Sequence, residues 1–135
     1  MTEAASLAGL RVLVVEDNML IAVHIEEMLQ DLGCVVVGPV GKLDAAMRVV
    51  DHDVLDAAIL DVNIRGEHVF PVAERLRARG IPFALASGYG DWALPETFRN
   101  QPRLTKPFTA QELEAQVLSL HREQGAAERA GTSPA

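Results

Sequence analysis

Residues 57–63 read AAILDVN, an apolar run that ends on an acid. Ala57 to Leu60 have the composition of a strand that is buried on both faces. Asp61 then follows with no Lys or Arg beside it. A carboxylate at the end of a buried strand is either incidental or the centre of the chemistry, and the rest of the chain has to decide between the two.

The composition predicts one globular domain with no nucleic-acid or membrane surface. Of the 135 residues, 49% are hydrophobic and 23% are charged, which is ordinary for a soluble fold. The net charge of −7 argues against nucleic-acid binding, because phosphate backbones select clustered Lys and Arg. The longest apolar runs are too short to span a bilayer, and the N-terminal residues do not resemble a secretory signal. The single cysteine, Cys34, fits a reducing, cytoplasmic location.

Apolar runs alternate with amphipathic stretches along the chain. The amphipathic stretches predict helices, of which the last begins at a capping box formed by Thr109 and Glu112. The stretch over 88–101 has the weakest helical pattern. Five βα units of this size predict an α/β fold with a doubly wound, five-stranded parallel sheet. The predicted strands cover residues 10–16, 34–40, 55–61, 81–87 and 103–105.

The domain boundaries follow from the ends of this pattern. We expect an N-terminal extension over residues 1–9 and a single domain over residues 10–122. Residues 123–135 are rich in small residues and poor in hydrophobic ones, so we expect a disordered tail there.

Polar residues stand at or just after the carboxyl ends of four of the predicted strands: Glu16 and Asp17 at the first, Asp61 at the third, Ser87 at the fourth and Lys106 at the fifth. In a parallel sheet these side chains converge on one edge. Each pair of ionised carboxylates would repel by about 4 kcal/mol at ~4 Å and an effective dielectric near 20, so cations should offset them. Lys106 and a Mg²⁺ ion fit that need. Such a site suits phosphoryl transfer, with Asp61 as nucleophile and the Ser87 hydroxyl donating to a phosphoryl oxygen.

Four motifs in this order resemble the receiver domain of two-component response regulators. They are VVEDN (14–18), ILDVN (59–63), LASG (85–88) and TKPF (105–108), and the resemblance covers about residues 10–122. It implies the flavodoxin-like (βα)5 topology and a signalling protein rather than an enzyme. It also implies that a sensor histidine kinase or a histidine phosphotransfer protein donates the phosphoryl group. The output would be a phosphorylation-dependent contact with a downstream protein, or a phosphorelay step.

The same resemblance implies a role for each residue of the metal site. Asp61 would be the phosphoacceptor and would also contact Mg²⁺. Asp17 would bind the ion directly, Glu16 mainly through water, and Asn63 through its main-chain carbonyl.

The switch residues are where the sequence departs from typical receivers. Lys106 would hold the phosphoryl group and Ser87 would move toward it, as in the family. Typical receivers also carry an aromatic residue three positions before the lysine, where this chain has Arg103. The segment PFALASGYG (82–90) instead resembles the FAT GUY signature, Phe-x-Phe-Ala-Thr-Gly-Tyr, with Leu85 at its second Phe and Ser87 at its Thr. Members of that subgroup are often single-domain partners of HWE-type kinases, and Tyr89 would be the switch aromatic.

Three other functions compete with this interpretation. A haloacid-dehalogenase-type phosphatase would need a second Asp two residues after its nucleophile, and this chain has Asn63 there. A flavodoxin-like cofactor binder should carry a Ser/Thr/Gly-rich phosphate loop, whereas EDNML (16–20) would repel phosphate without a metal. A receiver-like interaction module that is never phosphorylated remains open on the sequence alone.

Overall fold

The computed structural model describes residues 7–88 and 94–131, with side chains described through residue 122. The strands of its main sheet are Arg11–Val15 (β1), Val35–Val40 (β2), Ala57–Asp61 (β3), Phe83–Ser87 (β6) and Arg103–Thr105 (β7). They are parallel and lie in the order β2-β1-β3-β6-β7, which confirms the predicted fold class. Two further short strands, Asn63–Ile64 (β4) and Glu67–His68 (β5), pair as an antiparallel hairpin that the sequence did not predict.

The strand order reverses direction beside β1. The chain passes from β1 outward to β2 at one edge and then returns to β3, β6 and β7 on the other side. Ligand sites in such sheets lie beyond the carboxyl ends of the strands at this switch point. The switch point here falls between β1 and β3, the two strands that Glu16, Asp17 and Asp61 terminate.

Helices cover both faces of the sheet, because successive strand residues point to opposite sides. Leu13 and Val15 pack in one core, while Val12 and Val14 pack in the other. The helices are Met19–Asp31 (α1), Leu43–His52 (α2), Phe70–Ala78 (α3) and Ala110–Gly131 (α4). The first core is completed by α2 and α3, and the second by α1 and α4.

The termini of the described chain differ from the expected boundaries. Leu7 is fully buried and the backbone N–H of Gly9 donates to the carbonyl of Gly33 (2.9 Å), so part of the expected extension packs on the core. The Thr109–Glu112 capping box is confirmed, since each residue's backbone N–H donates to the other's side chain at 3.1 Å. The helix it starts runs past residue 122, where a tail was expected, because the Ala, Gln, Glu and Arg residues there are good helix formers.

The described residues between β6 and β7 form no α-helix. Residues 89–93 lie outside the described residues, and Glu96–Phe98 form one turn of 3₁₀-helix. Phe98 is fully buried, and the guanidinium of Arg77 lies 4.4 Å from its ring centroid. Arg77 also donates to the side chain of Gln101 (2.9 Å), and Gln101 donates to the carbonyl of Phe83 (2.6 Å). These contacts attach the segment to α3 and β6.

Cys34 behaves as a small buried hydrophobic residue. Its side chain is part of the core under α1 and α4, and burial raises the pKa of its thiol to about 11. The thiolate is therefore scarce at neutral pH, which disfavours a reactive role. None of the described helices combines the length with the hydrophobicity that a membrane-spanning segment needs.

Candidate functional site

An acidic cluster lies beyond the carboxyl ends of β1 and β3. Val15 is paired with Leu60, so the residues that come next in the two chains, Glu16 and Asp61, lie side by side. Together with Asp17 they offer carboxylate oxygens that all lie within 4.8 Å of one another. Glu16 and Asp61 are buried, with 4% and 8% of their surface exposed, whereas Asp17 is exposed. The structure thus brings together the three acids that the strand ends predicted.

Lys106 connects the two buried acids. Its Nζ lies 2.6 Å from Glu16 Oε1 and 3.0 Å from Asp61 Oδ2. The lysine follows β7, two strands away from Asp61 in the sheet, and its side chain reaches back across β6. Its positive charge offsets part of the repulsion between the carboxylates.

The surroundings of Glu16 and Lys106 change the proton affinity of both groups. Burial, together with a hydrogen bond and charge repulsion from Asp61, raises the pKa of Glu16 to about 7, although Lys106 opposes the rise. Burial alone would lower the pKa of Lys106, but its hydrogen bonds to Glu16 and Asp61 outweigh that effect and the pKa is raised. The lysine is therefore fully charged at neutral pH, while Glu16 is poised to hold or release a proton there.

Asp61 accepts a backbone hydrogen bond at the end of β3, beside the strand that ends at Ser87. Its Oδ1 accepts a hydrogen bond from the backbone N–H of Asn63 (3.2 Å), which is the first residue of β4. The next strand, β6, ends at Ser87, which is buried, and its carbonyl accepts the backbone N–H of Lys106 (2.8 Å). Ser87 thus lies in the strand next to Asp61, at the same edge of the sheet as the lysine.

The donor set suits a small, hard divalent cation. Mg²⁺ takes oxygen ligands at about 2.0–2.1 Å, so oxygens on opposite sides of the ion lie roughly 4.2 Å apart. Carboxylate oxygens within 4.8 Å of one another can therefore contact the ion after a small contraction, or reach it through water. Because Glu16 and Asp61 both contact Lys106, the exposed Asp17 is the most available direct ligand. The observed oxygens fit the Mg²⁺ that the sequence predicted.

The residue that sequence reasoning missed is Arg65, at the tip of the β4–β5 hairpin. Its backbone N–H donates to Asp17 Oδ2 (2.7 Å) and its Nε donates to the carbonyl of Gly41 (3.2 Å). Arg65 has φ +53° and the next residue, Gly66, has φ +81°. Two-residue hairpin turns with positive φ favour Asn-Gly, so Gly66 was the only cue in the sequence to this turn.

The predicted switch positions are only partly described. Tyr89 lies outside the described residues. Arg103, which stands where typical receivers carry an aromatic residue, is exposed in β7 and is paired with Leu85. Leu85 is fully buried in the core under α2 and α3. The FAT GUY-like positions in β6 are thus core positions, and the β7 position faces solvent.

Comparison with known proteins gives the family. The response regulator receiver domain family matches residues 12–118. The chain belongs to this family. The solution structure of SdrG from Sphingomonas melonis Fr1 is 40% identical, with a TM-score of 0.76, over 89% of this chain and 98% of that one. A second solution structure, of the BeF3-activated conformation of SdrG from Pseudomonas melonis Fr1, is 43% identical over 82% of this chain and 98% of that one, with a TM-score of 0.70.

Two further relatives extend the comparison. The receiver domain of the sensor histidine kinase PA1611 from Pseudomonas aeruginosa, solved with magnesium in its active-site cleft, is 26% identical with a TM-score of 0.68. That likeness covers 87% of this receiver and 99% of the PA1611 chain. The transcriptional regulatory protein PdtaR from Mycobacterium tuberculosis is 28% identical over 116 residues, which are 83% of this receiver. Those residues cover only 57% of PdtaR, so the receiver spans little more than half of that relative.

Proposed function

We propose that this receiver is a single-domain response regulator that accepts a phosphoryl group on Asp61 with the help of Mg²⁺. The observation that carries the proposal is the Lys106–Asp61 ion pair at 3.0 Å, beside the exposed carboxylate of Asp17. A buried acid with an adjacent ammonium and an open cation site is the arrangement that phosphoryl transfer requires. The near-complete coverage of the SdrG chain supports the single-domain organisation.

The reaction forms one bond and breaks one bond. A carboxylate oxygen of Asp61 attacks the phosphorus of a phosphohistidine, a P–O bond forms, and the P–N bond breaks with its electron pair passing to the imidazole. Lys106 balances the negative charge on the phosphoryl oxygens and then holds the acyl phosphate, toward which the Ser87 hydroxyl turns. The ion would be held by Asp17, Asp61 and the carbonyl of Asn63, and by Glu16 through water. When bound, Mg²⁺ neutralises charge on the transferring group and orients it.

The partners follow from the family and the subgroup. Receiver domains pair with histidine kinases or phosphotransfer proteins, and the FAT GUY-like segment 82–90 favours an HWE-type kinase. The output is a protein contact or a phosphorelay step, with Ser87 and Tyr89 as switch residues. The acidic net charge disfavours nucleic acid as a partner, and the single buried cysteine fits a cytoplasmic setting.

The test is phosphorylation by a small donor. We expect incubation with Mg²⁺ and acetyl phosphate to add one phosphoryl group to the intact mass of the wild type. Asp61→Asn and added EDTA should each abolish the adduct. Asp31→Asn, at the exposed end of α1, is the matched control and should label like the wild type. If no adduct forms, and Mg²⁺ with beryllofluoride leaves the NMR spectrum unchanged, the protein is a receiver-shaped binding module that is not phosphorylated.

A further inference from the structure

Arg65 connects the acidic cluster to the β4–β5 hairpin and to the connection between β2 and α2. Its backbone N–H donates to Asp17 Oδ2 (2.7 Å), 48 residues away in sequence. Its Nε donates to the carbonyl of Gly41, in the connection between β2 and α2 (3.2 Å). On the core side, the hairpin is anchored by Ile64 and Val69, which are both buried. The tip of the hairpin is therefore fixed against the metal site rather than projecting freely into solvent.

The hydrogen bond to Asp17 leaves one carboxylate oxygen for a cation. With Oδ2 facing the Arg65 N–H, Oδ1 is the oxygen that can turn toward Asp61 and Glu16. Groups that hydrogen-bond to the far side of a metal ligand orient it and commonly change metal affinity by ten- to a hundredfold. The short distance makes this N–H the contact that sets the angle of the Asp17 carboxylate.

The backbone conformation of Arg65 makes the contact possible. At φ +53° the N–H of Arg65 points out of the hairpin toward Asp17. Gly and Asn adopt this conformation readily, whereas β-branched residues do so at the greatest cost. The turn also borders an open cleft of about 610 Å³ that Glu16, Asp17, Gly41 and Arg65 line together. A solvated ion can therefore enter beside the turn.

We propose that Arg65 is a positioning residue for the cation site, and that it acts through its backbone N–H on Asp17. The hydrogen bond from the guanidinium to the carbonyl of Gly41 holds the hairpin tip in place, so that the backbone N–H stays directed at Asp17. This inference rests on the proposed Mg²⁺ site, and it assigns part of that site's affinity to the conformation of a residue that does not contact the ion.

The test compares two neutral substitutions at the same position. Arg65→Asn and Arg65→Val both remove the guanidinium and its charge, but only Asn tolerates a positive φ. We expect Arg65→Val to bind Mg²⁺ roughly tenfold more weakly than Arg65→Asn in calorimetric titration. Arg65→Ala, which is also neutral and less strained than Val, should fall between them. Thermal unfolding in EDTA measures any loss of stability separately from the loss of affinity.

A measurement on the wild type tests the contact itself. The Arg65 amide proton should resonate downfield, keep its position through a Mg²⁺ titration, and move upfield in Asp17→Ala. If Arg65→Val does not fold, the amide resonance of Arg65 in the wild type tests the proposal instead. An unchanged downfield position with Mg²⁺ bound supports the proposal, and an upfield shift on Mg²⁺ binding overturns it. Equal Mg²⁺ affinities for the Asn and Val variants, with normal binding by the wild type, would also overturn it and leave the proposed function intact. Failure of the wild type to bind Mg²⁺ would reject the metal site and this inference together.

Discussion

Asp61 and Asp17 belong to the same cluster but have opposite surroundings. Asp61 is buried and is held by the ammonium of Lys106 at 3.0 Å, whereas Asp17 is exposed and is held by a backbone N–H at 2.7 Å. A buried carboxylate depends on its cation, because water cannot replace it. An exposed carboxylate can keep such a hydrogen bond on one oxygen and turn the other toward a metal ion at little cost. Asp61 is therefore the fixed carboxylate that would accept the phosphoryl group, and Asp17 is the solvent-accessible carboxylate that would bind the ion.

The largest effect should come from removing Lys106, whose ammonium group contacts both Glu16 and Asp61. Lys106→Ala would leave Glu16 and Asp61 buried and unpaired, and we expect it to lower the free energy of unfolding by about 3–5 kcal/mol in EDTA. Urea unfolding at neutral pH measures this loss. The exposed Lys42 is the matched control, and Lys42→Ala should change stability by less than about 0.5 kcal/mol. Equal effects of the two substitutions would show that Lys106 does not neutralise buried charge.

A smaller effect should appear as a pH dependence of stability. The pKa of Glu16 is about 7 in the folded state, against an ordinary value of 4.5. Between these values the folded protein keeps a proton that the unfolded chain has released, so in EDTA the free energy of unfolding should fall as the pH rises through this window and level off above it. Urea titrations of the wild type and Glu16→Gln check this. An unchanged slope in Glu16→Gln would assign the dependence to other groups.

The smallest effect on the metal-free fold should come from Asp17→Asn. Because Asp17 is exposed and an amide oxygen can still accept the Arg65 N–H, we expect a change within about 0.5 kcal/mol in EDTA. The same substitution should abolish the stabilisation that Mg²⁺ gives the wild type, which is about 2.7 kcal/mol at a hundredfold excess over the dissociation constant. Thermal unfolding with and without Mg²⁺ measures both. Full Mg²⁺ stabilisation of this variant would exclude Asp17 as a ligand.

The fold was predictable because its central strands are buried on both faces. All five residues of β3 and of β6 are buried, and each strand is apolar in the sequence up to its last residue, which is Asp61 in β3 and Ser87 in β6. The carboxyl ends of parallel strands meet at one edge of the sheet, and this rule alone groups Glu16, Asp17, Asp61 and Lys106 from their positions in the sequence.

The contacts around this group could not be predicted in the same way. Only the folded chain shows that Lys106 pairs with Glu16 more closely than with Asp61. The hairpin was missed because each of its strands has two residues, too few for a period-2 pattern. The stacking of Arg77 on Phe98 depends on how α3 lies against the later segment, which no local pattern records.

The most direct measurement is to locate the phosphoryl group on the chain. Borohydride reduces an aspartyl phosphate to homoserine, which peptide mass spectrometry can place without any mutation. After labelling with Mg²⁺ and acetyl phosphate, we expect homoserine at position 61 alone, and none when EDTA is present. Homoserine at Asp17 or at another carboxylate, with position 61 unmodified, would contradict the assignment of Asp61 as the phosphoacceptor.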